Sequence, residues 1–362
     1  MTTRSVIGCM TGTSLDGLDA ALLTISGQGL AITARFERAV SLPLGPCATP
    51  LRHLAEQHPM TAGEIAALSR DFALLHARAC QQLLAGRSCD LICVHGQTVF
   101  HQPPLSWQLF QPAPLAAALR CPVLCDLRQA DLALGGQGAP ITPIADYILF
   151  RASSPRTIIN LGGFCNVTAL PAHDPAADHT RAVASIQAAD LCACNQLLDA
   201  IARRRLHQPY DDNGAAASSG SLHLSAVHPL RAHLRTQRAA RRSLGTGDEL
   251  AALLASFDHL APPDLLRSAC EALADVILDP AGPTQGQPVL AGGGVRNAAL
   301  RAALAHRAPT LTTTDEAGIP SGYREAACFA VLGALCQDRV PITLPQVTGV
   351  PRAPLSGTWT NS

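Results

Sequence analysis

The sequence contains no lysine; all 27 of its basic side chains are arginine. That absence excludes Schiff-base chemistry on a lysine amine, the Walker-type loop with its Gly-Lys-Ser/Thr and the strand lysine of protein kinases. Phosphate chemistry in this chain must therefore use backbone amides, hydroxyls, arginine and a metal. Net charge is absent too, because 27 acidic groups balance the arginines, so there is no electrostatic footprint for nucleic acid or an anionic membrane. The one basic cluster, 231–242, reads as a solvated helix face or loop. No apolar run is long enough to span a membrane, and the opening Met1-Thr-Thr-Arg-Ser-Val-Ile is not a secretory h-region. The 13 cysteines include the close pairs Cys121/Cys125 and Cys192/Cys194, and neither joins a zinc-type ligand set with nearby histidines. They read as reduced, mostly buried thiols of a cytoplasmic protein.

What is present is a globular composition, 48% hydrophobic and 15% charged over 362 residues, enough for two domains with their own cores. Three glycine-bearing turns stand in order: Gly8 to Asp19, Asn160 to Thr168 and Ala291 to Asn297. Each follows a strand-like apolar run, and such turns bring backbone N–H groups close to an anion. Strands are expected over 4–10, Leu18–Ser26, Leu30–Leu42 and Cys89–Val94, and a helix with a Thr start over Thr61–Ala85. The second half repeats this logic. Strands are expected at Arg156–Leu161, Cys165–Leu170 and Ala182–Ala188, then a helix at Asn195–Arg205, with loops at 171–180 and 207–221.

Two α/β halves that each offer a hairpin turn to a shared nucleotide cleft follow the logic of the two-domain actin-like ATPase (ribonuclease H-like) fold. The boundaries expected are 1–150 plus 341–362 for one domain and 151–340 for the other. A Rossmann domain would need Gly-x-Gly-x-x-Gly straight after a strand and opening a helix. Here Gly8-x-x-x-Gly12 feeds a strand.

Between the turns lie further short motifs. They are Gly12-Thr-Ser-Leu-Asp-Gly-Leu-Asp19, His95-Gly-Gln-Thr98 with His101 and Pro103, Asp126-Leu-Arg128 with Asp131, and Gly135-Gly-Gln-Gly-Ala-Pro140. Asn160-Leu-Gly-Gly163 with Asn166, Asp211 with Gly214, Gly292-Gly-Gly294 with Asn297, Glu325-Ala326 with Phe329, and Val347-Thr-Gly349 follow. In this order they resemble the anhydro-N-acetylmuramic acid kinase family across nearly the whole chain. The resemblance implies a small-molecule sugar as partner, with ATP and Mg²⁺ as cofactors. A 1,6-anhydro sugar is opened by water while its O6 takes the γ-phosphoryl of ATP, a step of cell-wall (peptidoglycan) recycling. It also implies a homodimer.

The resemblance implies roles residue by residue. Gly12, Thr13, Ser14, Asp16, Gly17 and Asp19 form the first phosphate loop, with Asp16 and Asp19 placing the metal; the competing reading is a self-capped hairpin turn. Asn160, Gly162 and Gly163 form the second loop. Gly292, Gly293, Gly294 and Asn297 run beside adenine and ribose. Gln97, Thr98, Arg128 and Asn195 contact the sugar, with Arg128 suited to the lactyl carboxylate or else paired with Asp126 or Asp131. Glu325 accepts from a sugar hydroxyl or orients the water, and His95 and His101 are structural. Asp190 is the base, against a helix-capping or surface carboxylate.

The chain also departs from the family. Where the family has Asp-Thr-Gly-Pro-Gly-Asn, this chain has Asp190-Leu-Cys-Ala-Cys-Asn195, a run able to extend the following helix backwards. Phe110 stands where glycine is usual and Asp146 where histidine is usual. The Lys-Ser-Thr-Gly-Arg-Glu segment is reduced to Arg242-Ser-Leu-Gly-Thr-Gly247. Two further readings stay open: a kinase for a related anhydro sugar such as levoglucosan, or a nucleotide-binding homologue without turnover.

Overall fold

The computed structural model describes residues 2–12, 15–174, 176, 178–239 and 253–361. Thr13 and Ser14 of the first turn and the 242–247 segment lie outside the described residues. The chain divides into two compact units, Met1–Arg151 with Pro175–Ile186 and Tyr323–Ser362, and Ala152–Asp174 with Gln187–Gly322.

In the first unit Thr3–Thr11, Leu18–Ser26 and Thr33–Leu42 form an antiparallel meander, with Thr11 opposite Leu18 and Leu18 opposite Leu42. Leu91–Val94 lies parallel to the first strand and Val123–Cys125 parallel to that, with Thr358–Thr360 antiparallel at the edge. The helix Ala62–Leu84 starts where the threonine predicts: the Thr61 hydroxyl accepts from the Glu64 N–H and the Glu64 carboxylate accepts from the Thr61 N–H, a capping box. Its inner face buries Leu68, Phe72, Leu75 and Leu83 against the sheet.

The second unit repeats the plan. Arg156–Leu161, Phe164–Leu170 and Gln187–Ala193 are antiparallel neighbours, and Gln287–Ala291 and Thr312–Thr313 add in parallel on the other side. Each sheet therefore runs third, second, first, fourth, fifth in order of appearance, the first unit adding its C-terminal edge strand. A three-stranded meander joined to parallel strands, occurring twice, is the two-unit actin-like architecture expected.

Three expectations change. The strand expected at Ala182–Ala188 is a helix, His179–Ala184, followed by the strand Gln187–Ala193. The Asp178 carboxylate accepts from the Thr180 N–H and starts that helix. Leu191-Cys-Ala193 is strand, and the next helix begins at Asn195. Those side chains and Cys194 are wholly or almost wholly buried among Leu161, Cys165 and Leu197, so apolar packing holds the path of this run. Third, the helix His179–Ala184, expected in the second domain, belongs to the first unit, as does the helix Arg324–Gln337. The latter helix lies so close to the first strand that a Cβ on Gly8 would stand 2.0 Å from the Ala326 oxygen and 2.3 Å from the Ala330 nitrogen. Gly333 makes the same approach to Cys93, at 2.7 Å.

The unusual residues have local reasons. Phe110 packs on His76 and Phe72, with ring centroids 4.9 and 6.4 Å away. Asp146 is fully buried against the equally buried Arg324 guanidinium, which also reaches the Thr142 hydroxyl at 3.3 Å. In the basic cluster, Arg231 and Arg235 on the helix Leu224–Ala239 pair with Asp275 and Asp279. The 207–221 stretch holds a short helix, Ala215–Ser219, capped by the Asp211 carboxylate accepting from the Ala216 and Ala217 N–H groups.

Gly8→Ala forces a methyl into backbone atoms that cannot yield, and overpacking of this kind costs about 2–3 kcal/mol; urea unfolding of the variant reads that loss. His76 gives a second expectation. Its Nδ1 donates to the Phe72 carbonyl at 2.8 Å, its Nε2 has no partner, and burial lowers its pKa to about 4. The neutral ring contributes its full stability above about pH 6.5, the unfolded value, and loses it as pH falls toward 4. Unfolding at pH 5.5 and 7.5 will differ by about 1.5 kcal/mol more in the native chain than in His76→Gln.

Candidate functional site

In both units the motif residues gather at the carboxyl ends of the parallel strands, where ligands of open α/β sheets bind. In the first unit His95 follows Leu91–Val94, its N–H donating to the Cys9 oxygen at 3.0 Å. Arg128 follows Val123–Cys125 and directs Nε and Nη2 at the Nε2 of His95, at 3.2 and 2.9 Å. A guanidinium only donates, so Nε2 accepts and the ring proton sits on Nδ1, which donates to the Gly96 oxygen at 2.8 Å. Burial, with the Arg128 charge, holds His95 neutral, its pKa well below the ordinary value. Arg128 Nη1 continues to the Gly138 oxygen at 3.0 Å, and the buried Asp131 accepts from the Gly138 N–H and the Thr348 hydroxyl, both at 2.8 Å. Gly136 closes over that carboxylate, where a Cβ would lie 2.1 Å from Oδ2. Four of the sequence motifs are thus links of one polar chain, with the two Asp131 oxygens occupied by the Gly138 turn and Thr348.

The first turn is pinned by Leu15, whose side chain is buried and whose N–H donates to the Gly12 oxygen at 3.2 Å. A Cβ on Gly17 would meet the Leu42 oxygen at 3.0 Å. Asp16 is exposed, while Asp19 is half-buried and accepts from the Ser41 hydroxyl, which lies 3.0 Å from the Tyr323 hydroxyl. Glu325, in the first turn of the helix Arg324–Gln337, has its pKa raised by burial; Asp19 and Asp146 act in the same direction, and Arg324 and Arg128 oppose them. Among the described residues no group of three or more His, Cys, Asp or Glu is placed to hold a metal ion. Mg²⁺ asks for less, since it keeps most of its waters and takes one or two carboxylates. The exposed Asp16 and partly exposed Asp19 suit that donor set.

Gln97 and Thr98 open the hairpin Gln97–Gln102/Leu105–Leu109. The Gln108 amide donates to the Ser106 hydroxyl at 2.8 Å and to the Thr98 hydroxyl at 3.4 Å, and His101 Nδ1 lies 2.8 Å from the same Ser106 oxygen. Gln97 Oε1, Gln108 Oε1 and His101 Nε2 are buried without a hydrogen-bond partner. Burial, then the Arg128 charge, lowers the His101 pKa. Sequence reasoning missed Gln108 and treated His101 as structural; three acceptor-capable atoms along one hairpin are visible only once its strands are paired.

In the second unit, register sets Asn160 opposite Asn166 and Asn166 opposite Asp190. The three polar residues form one row across three strands, on one face of the sheet. The ladder slips between Asp190 and Cys192, leaving Leu191 as the extra residue of a β-bulge directly after Asp190; bulges of this kind re-aim a side chain. The Gly162 and Gly163 oxygens accept from the N–H groups of Cys194, Asn195 and Gln196 at 2.8–3.1 Å, and Asn195 Nδ2 donates to the Leu161 oxygen at 3.0 Å. Gly292, at φ +86°, and Gly294 press on the same strand end, where a Cβ would lie 2.7 Å from Asn160 Oδ1 and from Leu161 Cβ respectively. Gly293 is exposed. Asn297 caps the helix Ala298–Arg307, its Oδ1 accepting from the Leu300 N–H at 3.0 Å, and Gly214 leaves room for it. So Asp190, Asn160, Gly162, Gly163, Asn195 and the 292–294 turn are brought together. The side-chain oxygen of Asn297 belongs to the helix cap.

No helix among the described residues is long and apolar enough to cross a membrane. A solved structure similar to this chain is component A of the (R)-2-hydroxyglutaryl-CoA dehydratase of Acidaminococcus fermentans. It is 13% identical at a TM-score of 0.44, the match covering 91% of this chain and 98% of that one. Sequence relatives are much nearer. The anhydro-N-acetylmuramic acid kinase of Bordetella pertussis is 37% identical over 98% of this chain and 95% of its own length. That of Gloeobacter violaceus is 36% identical over 96% of each. A family model described as anhydro-N-acetylmuramic acid kinase matches residues 4–361. With motifs, topology and relatives in agreement over almost its full length, the chain belongs to the anhydro-N-acetylmuramic acid kinase family.

Proposed function

We propose that this chain is an ATP-dependent kinase that opens 1,6-anhydro-N-acetylmuramic acid with water and phosphorylates its O6, giving N-acetylmuramic acid 6-phosphate for cell-wall recycling in the cytoplasm. The observation that carries the reading is the row Asn160–Asn166–Asp190. Asp190 keeps its register beside the Gly162-Gly163 turn although the residues after it have lost the family pattern.

Asp190 takes the proton of a water that adds to C1, the C1–O6 bond breaks, and O6 attacks the γ-phosphorus as ADP leaves. General-base assistance of this kind is worth about 10²–10⁴ in rate. Backbone N–H groups of the Gly12–Gly17 and Gly162–Gly163 turns, with Thr13 and Ser14, are assigned to the ATP phosphates, and the 292–294 turn to the nucleoside. Bound Mg²⁺ supplies charge for the transferring phosphoryl group, and Asp16 and Asp19 would hold it through its waters. Arg128, held by His95 and Gly138, is assigned to the lactyl carboxylate, and Glu325 to a sugar hydroxyl or the water. Gln97, Gln108 and His101 offer their unpartnered acceptors to hydroxyl and acetamide N–H donors, with Thr98 beside them. Asn195 holds the Leu161 carbonyl and so supports the turn. A homodimer is part of the proposal, and light scattering after gel filtration measures it.

Incubation with ATP, Mg²⁺ and the anhydro sugar should yield ADP and the 6-phosphate, and Asp190→Asn should lower the rate about 10²- to 10⁴-fold while ATP affinity stays. ATP binding without turnover in the native chain would overturn the reading in favour of a nucleotide-binding homologue. Equal turnover of levoglucosan, which lacks the lactyl group, would overturn the substrate assignment. Gln108→Leu should raise the KM for the sugar about three- to tenfold, the worth of one neutral hydrogen bond, with the KM for ATP unchanged.

A further inference from the structure

All 13 cysteines are free thiols, and the proposed activity uses none of them. Among the described residues, the pairs Cys9/Cys80 and Cys89/Cys121 bring sulfurs close. Cys9 and Cys80 stand 3.8 Å apart, both buried. Cys89 and Cys121 are closer, at 3.3 Å, and Cys89 is partly exposed on the loop segment Ser88-Cys89-Asp90 before the strand Leu91–Val94. Cys121 is 1% exposed and precedes the neighbouring strand Val123–Cys125.

We propose that Cys89 and Cys121 form a reversible thiol–disulfide site that takes a low-molecular-weight disulfide as its oxidant. The inference is independent of the sugar-kinase reading. The backbone already holds the two residues in place. Ile92 pairs with Val123 in the parallel ladder, the Ile92 N–H donates to the Pro122 oxygen at 3.0 Å, and the Asp90 N–H donates to the Ser5 oxygen at 2.8 Å. The Cys121 thiol lies 3.4 Å from the Cys89 carbonyl oxygen. Bond formation therefore needs side-chain rotation and an approach of about 1.3 Å to the S–S length of about 2.0 Å.

Exposure sets the order of events. Cys89 meets the oxidant first, and its thiol is the more acidic of the two: the hydrogen bond from Cys121 lowers its pKa, while that bond and burial raise the pKa of Cys121. The Cys89 thiolate attacks one sulfur of the oxidant and expels the other as a thiolate, leaving a mixed disulfide. Cys121 then loses its proton, attacks Cys89 Sγ and expels the second thiolate. Two protein thiols are oxidised and one external disulfide is reduced to two thiols. The new bond closes a loop over residues 89–121, which contains the hairpin bearing Gln97, Thr98, His101 and Gln108. A closed loop of this length removes chain entropy from the unfolded state.

The test treats the full chain with glutathione disulfide, blocks remaining thiols and digests with trypsin. Cleavage at arginine separates Ser88–Arg120 from Cys121–Arg128, so the expected product links these two peptides, with fragmentation placing the bond at Cys89 and Cys121. The link should vanish with dithiothreitol and in Cys89→Ser. Cys121→Ser should stop at the mixed disulfide on Cys89. Oxidation should raise the Tm of the native chain by about 5–10 °C and leave that of Cys89→Ser unchanged. A persistent mixed disulfide in the native chain, a bond through Cys93 or Cys125, or the same link in Cys89→Ser would overturn the proposal.

Discussion

The contact between Gly8 and the helix Arg324–Gln337 is the constraint on which the first unit is built. The Cβ position of Gly8 is filled by helix backbone, so strand and helix meet without side chains between them. The helix is buried almost all round from Ala326 to Leu335, and small residues line its approach to the sheet. That closeness brings Glu325 to the end of the sheet, where burial raises its pKa, Arg324 and Arg128 oppose the rise and Asp19 adds to it. Arg324 is anchored in turn by the buried Asp146. A buried charge needs a partner that stays in place, and the Asp146 carboxylate supplies it.

The two units organise their turns by different physics. In the first, a buried polar chain from His95 through Arg128 and Gly138 to Asp131 and Thr348 carries the order. Every link is directional, and a half-satisfied network of this kind is costly. In the second, steric closeness dominates, with Gly292 and Gly294 against Asn160 and Leu161 and the Leu191–Cys194 run sunk in the core. Packing tolerates exchange of one apolar residue for another better than a polar network tolerates loss of a member. In the second unit that packing anchors the bulged strand that carries Asp190.

Local signals were legible wherever one face of an element alternates or a cap is explicit. Leu18–Ser26, Arg156–Leu161 and Asn195–Arg205 have the bounds their patterns predict, and Thr61 caps its helix. The expected strand at Ala182–Ala188 failed because a short alanine-rich run carries no period, and the Asp178 cap outweighed its β-prone valine. The assignment of Arg324–Gln337 to the wrong unit had another cause. Membership is decided by which sheet a helix covers, and that depends on Gly8, more than three hundred residues away in sequence.

The amino-acid sequence by itself determined the chemistry open to this protein. Without lysine, phosphate must be met by other groups, amides, hydroxyls and arginine among them, and the ordered motifs name the family. The tertiary structure decided which of those residues stand together. Register put Asp190 in a row with Asn166 and Asn160, and strand pairing gathered the acceptors of Gln97, His101 and Gln108. It also gave Asn297 to a helix cap and Asp131 to a turn. Residue types are local, whereas proximity across a sheet arises from pairing and packing of segments far apart in the chain.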